Sequence, residues 1–194
     1  MRATSPAPTI GQSVLCRVLF WSLVALSLSA CAAGPSQPPP QHSAPTLTHN
    51  CRPQETVGFS CELHDHRLLS LCASPGFEKF AGQPKDNPGY AYLVVGSLHG
   101  QVQHSYPDKP SEYKKYLSSG STMSAWPYVK AISQKGTFFY ANGDAETPVS
   151  LTPENLPPGW HVEPAPTRGD SYCTNRVHRE NFDAVLLQLP PATN

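Results

Sequence analysis

Proline recurs so often along this chain that a long helix has nowhere to run: 22 of its 194 residues are proline, with 13 glycines beside them. Each proline inside a helix removes a hydrogen bond and clashes with the preceding turn, at a cost of about 3 kcal/mol. Charged residues make up only 14% of the chain, and long amphipathic helices need a richer supply of them on their solvent face. The composition therefore favours short strands joined by turns. At this length it fits one modest domain with accessory segments.

Runs rich in β-formers recur at 59–63, 68–73, 91–96, 102–106, 137–140, 149–152, 160–163 and 182–189, with turn signals between them. That is the pattern of a mainly β fold, a small antiparallel sandwich or barrel of short strands. The first two runs form a hairpin around His64-Asp65-His66-Arg67. Gly96-Ser97-Leu98-His99-Gly100 joins the next pair, and Asn142-Gly143-Asp144 follows the 137–140 strand, each with residues that tolerate positive φ. One short helix is expected at 111–119, where Tyr113, Tyr116 and Leu117 share a face and Gly120 can stop it. The stretch 76–89, with Pro84 and Pro88, reads as a surface loop.

At the amino terminus, Arg2 and Arg17 precede an acid-free apolar run from Val18 to Leu28, which ends in the small residues Ser29 and Ala30. These are the three regions of a secretory signal. Gly34 and Pro35 close the run before the roughly 20 apolar residues that a membrane-spanning helix needs. Leu28-Ser29-Ala30-Cys31 resembles the lipobox of bacterial lipoproteins, an aliphatic residue and two small ones before a cysteine. The resemblance implies cleavage before Cys31, a diacylglycerol thioether on its sulfur and acylation of the new amino group. Several acyl chains on one residue exceed the two-signal threshold for stable anchoring. Residues 1–30 would then be lost as a signal peptide, and Cys16 with them. Ala32 stands where enterobacterial lipoproteins of the inner membrane carry aspartate, which implies the outer membrane, with the domain in the periplasm.

Loss of Arg2 and Arg17 leaves 12 basic residues against 14 acidic ones, so no electrostatic footprint for nucleic acid exists. Residues 31–50 comprise the lipidated cysteine and a stretch rich in Pro, Ser, Gln and Thr that includes Pro38-Pro39-Pro40. Such a segment buries too little apolar surface to offset its ordering entropy and reads as a tether. In polyproline II form, at about 3.1 Å per residue, some 18 residues would hold the domain of residues 51–194 up to roughly 50 Å from the bilayer.

Four cysteines then remain: Cys51, Cys61, Cys72 and Cys173. An even number in an oxidising compartment favours two disulfides, and the sequence leaves all three pairings open. Whichever partner Cys173 takes, a loop of about 100 residues is closed, a contribution of up to about 4–5 kcal/mol on the chain-entropy model. No Cys-x-x-Cys redox motif is present, and the spacings match no common zinc knuckle. The run Cys51, Phe59-Ser60-Cys61-Glu62-Leu63, Leu68-Leu69-Ser70-Leu71-Cys72, with Tyr90-Ala91-Tyr92 and the 102–107 segment, is similar to a group of small exported proteobacterial proteins of unassigned function. Their hairpin turn often reads Asn- or Asp-Gly-Lys, which this chain replaces. The resemblance implies no activity.

Candidates for chemistry are few. His64 and His66 flank Asp65, and His99 and His104 lie in the next hairpin; imidazoles brought to one side of a turn can share a zinc or copper ion. Ser111-Glu112-Tyr113-Lys114 matches Ser-x-x-Lys but lacks its companion Lys-Thr-Gly. There is no Gly-x-Ser-x-Gly elbow, Gly-rich phosphate loop or His-Glu-x-x-His. Trp126, Tyr128 and Trp160, in Trp126-Pro127-Tyr128 and Pro157-Pro158-Gly159-Trp160, are candidate contacts for a carbohydrate, peptidoglycan or protein partner. The expectation is a lipid-anchored, non-enzymatic binding or envelope-accessory domain without a cofactor. The alternatives are an inhibitor or immunity protein against an envelope enzyme of the lysozyme or amidase class, and a metal-binding lipoprotein that uses His64 and His66.

Overall fold

The structure is a computed structural model, and it describes residues 48–142, 149–163 and 171–192. Cys31, the expected lipobox and most of the expected tether lie outside the described residues, as do Gly143 and Asp144 of one expected turn.

The strands are β1 (Thr56–Leu63), β2 (Arg67–Ala73), β3 (Ala91–Ser97), β4 (Val102–Tyr106), β5 (Leu117–Ser121), β6 (Pro127–Ser133), β7 (Gly136–Asn142), β8 (Ser150–Leu151) and β9 (Cys173–His178). They form two antiparallel sheets, one ordered β4-β3-β2-β1-β9 and the other β5-β6-β7-β8. A single short α-helix among the described residues, α1 (Phe182–Leu186), follows β9. The mainly β, two-sheet architecture with a short helix and two disulfides agrees with the sequence expectation.

Alternation decides which face each strand buries. Phe59, Cys61 and Leu63 of β1, Leu69, Leu71 and Ala73 of β2, and Leu93 and Val95 of β3 point into one core. Val129 and Ala131 of β6 and Phe139 and Ala141 of β7 meet them there from the other sheet. The Phe59 ring stacks on Phe139 with centroids 5.8 Å apart and meets Phe182 of α1 edge-on at 6.1 Å. A register shift between Val57 and Phe59 turns Val57 to the opposite face, where it joins Cys51, Cys72, Tyr92 and Val94 in a second, smaller cluster. The hairpin turn after β1 sets His66 at φ 61°. Its Asp65 accepts hydrogen bonds from the Arg67 amide at 3.2 Å and from the Arg67 guanidinium at 2.6 Å. Burial pushes the Asp65 carboxyl up, but the bonds and charge of Arg67 outweigh it and hold the group below the usual carboxylate range.

All four expected cysteines are in disulfides. Cys51 joins Cys72 and Cys61 joins Cys173, with Cα atoms 5.4 and 5.6 Å apart. The second bridge ties β9 to β1 along the pairing Leu63↔Cys173.

Several sequence expectations are corrected. The helix expected at 111–119 is a 3-10 turn, Pro110–Lys115, followed by β5. Tyr113 anchors the turn edge-on against Phe77 at 5.4 Å, and Ser118, Ser119 and Gly120 are poor helix formers that pair with β6 instead. The strand expected at 182–189 is α1 and its following turn. Phe182, Val185, Leu186 and Leu189 are buried at helical spacing, whereas Leu187 is exposed. Residues 160–163 join no ladder; there the Arg67 guanidinium donates to the His161 carbonyl at 2.6 Å. The 76–89 stretch is a loop held down by Phe77, which is buried. Strands β5, β6 and β9 were not expected.

The two disulfides close sequence separations of 21 and 112 residues. Chain entropy assigns them about 3.3 and about 4.8 kcal/mol respectively at 25 °C. Urea unfolding of the paired variants Cys51→Ala/Cys72→Ala and Cys61→Ala/Cys173→Ala is therefore expected to show the second losing more stability, by about 1.5 kcal/mol. Equal losses would show that loop closure does not set their contributions.

Candidate functional site

Asn50 and Cys51 precede β1 and lie across the outer face of the five-stranded sheet. The Asn50 amide donates to Ser70 Oγ at 3.2 Å, and its side-chain nitrogen reaches the Leu68 carbonyl at 3.5 Å. Cys51 then bonds to Cys72 of β2, and the chain turns through Arg52 to Glu55, whose amide donates to the Arg52 carbonyl at 3.2 Å. This turn aims the Glu55 carboxylate at two phenols one alternation apart on β3 and the residue before it. Tyr90 donates to Glu55 Oε1 at 2.9 Å, and Tyr92 donates to Oε2 at 2.7 Å. The Arg52 amide adds a bond to Oε2 at 2.8 Å, and the Arg52 guanidinium stands 5.9 Å from the centre of the Tyr92 ring.

Cys51 Sγ, Cys72 Sγ and a Glu55 carboxylate oxygen lie within 4.8 Å of one another. Two sulfurs and a carboxylate are a ligand set that zinc accepts. With the disulfide closed, neither sulfur carries the thiolate charge that metal ligation requires. Glu55 was missed in the sequence because, although it follows Cys51 closely, only the fold brings Cys72 beside the two of them.

The two histidines at the first hairpin turn have separate partners. His64 Nε2 donates to the Ser171 carbonyl at 3.0 Å, while His66 Nδ1 lies 2.9 Å from Glu62 Oε1.

The aromatic candidates divide. Trp160 is half-buried, edge-on to Phe138 at 5.7 Å and to Tyr106 at 6.4 Å, and tilted against His104 at 6.0 Å. Its neighbour Tyr106 lines a cleft of about 340 Å³ together with Tyr116, Leu156, Pro158, Lys109 and Lys135, and Trp160 itself does not line it. The Tyr106 hydroxyl is spent on the Ile132 carbonyl at 2.6 Å. Tyr128 packs beside Tyr140 with ring centres 5.1 Å apart. Trp126 is 47% exposed in the β5–β6 turn, between Ala125 and Pro127. Those two residues line a larger groove of about 650 Å³, whose wall includes Leu186, Leu189, Pro191 and the 73% exposed Leu187. Among the described residues, no helix is long and apolar enough to cross a membrane. The chain matches no family model, no curated protein and no solved structure.

The phenols carry a pH signature. Burial, then the Glu55 hydrogen bond and charge, raise Tyr92 and, to a smaller degree, Tyr90 above the ordinary value of 10. Burial pushes Tyr106 up to about 12, with Tyr116 and Asp108 adding to it, and pushes Tyr113 up to about 12 by itself. A phenol whose folded-state value is raised binds its proton more tightly when folded. The resulting stability is fully present below pH 10.0 and is lost as pH rises toward about 12. Ultraviolet titration near 295 nm should therefore show a late-ionising set of tyrosines, with unfolding following their ionisation. Glu55→Gln should lower the Tyr92 transition while leaving it above 10, because burial remains; an unmoved transition would count against the Glu55 contribution.

Proposed function

We propose that this chain is a lipid-anchored binding module of the bacterial envelope, cleaved before Cys31, acylated there, and carried on its Pro-rich tether on the periplasmic side of the outer membrane. One observation carries the reading. A lipobox stands ahead of a domain whose four cysteines are all in disulfides, and disulfides persist in the oxidising compartments to which such a signal leads. The groove lined by Ala125 and Pro127 is the contact surface this reading favours, because its volume lies in the range of ligand sites, its wall presents the exposed Leu187, and the exposed Trp126 stands between two of its lining residues. Its occupant is an envelope protein that offers an apolar side chain as anchor, since aromatic and aliphatic anchors dominate such contacts.

A second reading, a metal-binding lipoprotein, is favoured by the Cys51, Glu55 and Cys72 group. The sequence pointed instead to His64 and His66 for that role.

Mass spectrometry of the processed protein should find residue 31 at the amino terminus carrying acyl chains; an unmodified cysteine there, or a product retaining residues 1–30, overturns the anchor. Envelope capture with the full chain should yield a stoichiometric protein partner that Leu187→Asp loses, and retention by that variant would move the contact elsewhere. Metal analysis of chain purified without a histidine tag tests the second reading. Metal content that falls on replacing both His64 and His66 would assign the metal to the hairpin turn and not to the cysteine group.

A further inference from the structure

We propose that Cys51, Cys72 and Glu55 form a thiol-gated zinc site, closed as long as the two sulfurs are bonded to each other and open once a dithiol has reduced them. The proposal rests on the metal-binding reading and gives it a ligand set and a switch.

The geometry supplies the ligands. Three donor atoms of the types that zinc takes already lie within 4.8 Å of one another. Tetrahedral zinc with Zn–S bonds of about 2.3 Å needs its two sulfurs about 3.8 Å apart, which the opened pair can reach by side-chain rotation. Cys72 is fixed in the ladder between β1 and β3. Cys51 stands on the segment ahead of β1, outside any strand, so its side chain is the one whose rotation the proposal requires.

Glu55 is already oriented for the third position. An ionised carboxylate has about four acceptor sites. Among the described residues, Oε2 takes both the Tyr92 hydroxyl and the Arg52 amide, whereas Oε1 takes the Tyr90 hydroxyl alone. A lone pair on Oε1 is therefore left for a cation. Hydrogen bonds of this kind from outside the ligand shell orient a metal-bound carboxylate and tune its basicity. The charges also close. Two thiolates and a carboxylate carry three negative charges, which a divalent zinc and the nearby Arg52 guanidinium balance, and water completes the fourth position.

The chemistry is a two-electron exchange. A dithiol reductant attacks the Cys51–Cys72 bond, which breaks as the reductant closes its own disulfide; two electrons and two protons pass to the chain, leaving two thiols. Zinc then displaces both thiol protons to solvent as the Zn–S bonds form. All four cysteines are buried, and Cys51, at 9% exposure, is the most accessible of them, whereas Cys61 packs in the main core with Phe59, Leu69 and Val95. Selective opening of the outer pair is thus expected.

The test uses the full chain, oxidised or passed over an immobilised dithiol, with alkylation mapping to identify the opened cysteines and native mass spectrometry to count zinc ions. The oxidised chain should bind none. The chain opened at Cys51 and Cys72 should bind one, with two sulfur neighbours in its X-ray absorption spectrum, and His64→Ala/His66→Ala should leave this unchanged. Tyr92→Phe, which removes only a hydrogen bond to the carboxylate, should weaken zinc affinity by about tenfold or more; Glu55→Gln should weaken it further. Should Glu55→Gln fail to fold, as judged by near-ultraviolet circular dichroism, Tyr92→Phe carries the test. Zinc on the oxidised chain would overturn the gate while leaving the metal-binding reading in place. An opened chain that binds no zinc would overturn both. Unchanged affinity in Tyr92→Phe and Glu55→Gln would remove the carboxylate from the site.

Discussion

The inward row of β1 is where the fold is joined. Phe59 stacks on Phe139 of the opposite sheet and meets Phe182 of the helix edge-on, and Cys61, two residues on, is bonded to the strand that closes the sheet edge. One strand thereby holds two sheets, a helix and the carboxy-terminal region. Aromatic contacts add about 0.5–1.5 kcal/mol beyond the area they bury. The covalent bond adds what they cannot, a limit on how far the unfolded chain can separate its ends.

The sequence was most legible where runs rich in β-formers carry turn residues on both flanks. Strands β1 to β4 and β7 follow that rule, although burial on both faces of β2 and β3 blurs the alternation. Reading failed where tertiary pairing overrides local pattern. Strand β9 carries Thr174, Asn175 and Arg176 in its middle and has no apolar alternation; its place depends on the edge of β1 and on Cys173. In β6 the buried pair Val129 and Ala131 does alternate, but the neighbouring Trp126-Pro127-Tyr128 reads as a loop. Residues 182–189 are apolar enough to fit either period, and the exposure of Leu187 decides for the helix.

The candidate site was legible only in part, for a related reason. Counting cysteines gives two bridges but not their pairing, since pairing follows from register: Val57 opposite Cys72 brings the segment before β1 over the outer face of the sheet. Glu55 has no signature in one dimension, because its phenol partners lie 35 and 37 residues away. The tryptophans separate by depth. Trp160 is half-buried against Tyr106 and Phe138, and Trp126 faces solvent, a distinction that adjacent prolines do not encode.

The bond between Cys51 and Cys72 also decides how the domain bears load. Any tension arriving along the chain at Asn50 passes through sulfur into β2, a strand with neighbours on both sides, instead of running on to Thr56 at the start of β1. Force enters in the middle of the sheet, against many hydrogen bonds acting together, and residues 52–71 form a loop closed by that covalent shortcut, which pulling cannot lengthen. While the sulfurs remain joined, the domain is attached like a sail sewn along its width rather than tied at one corner.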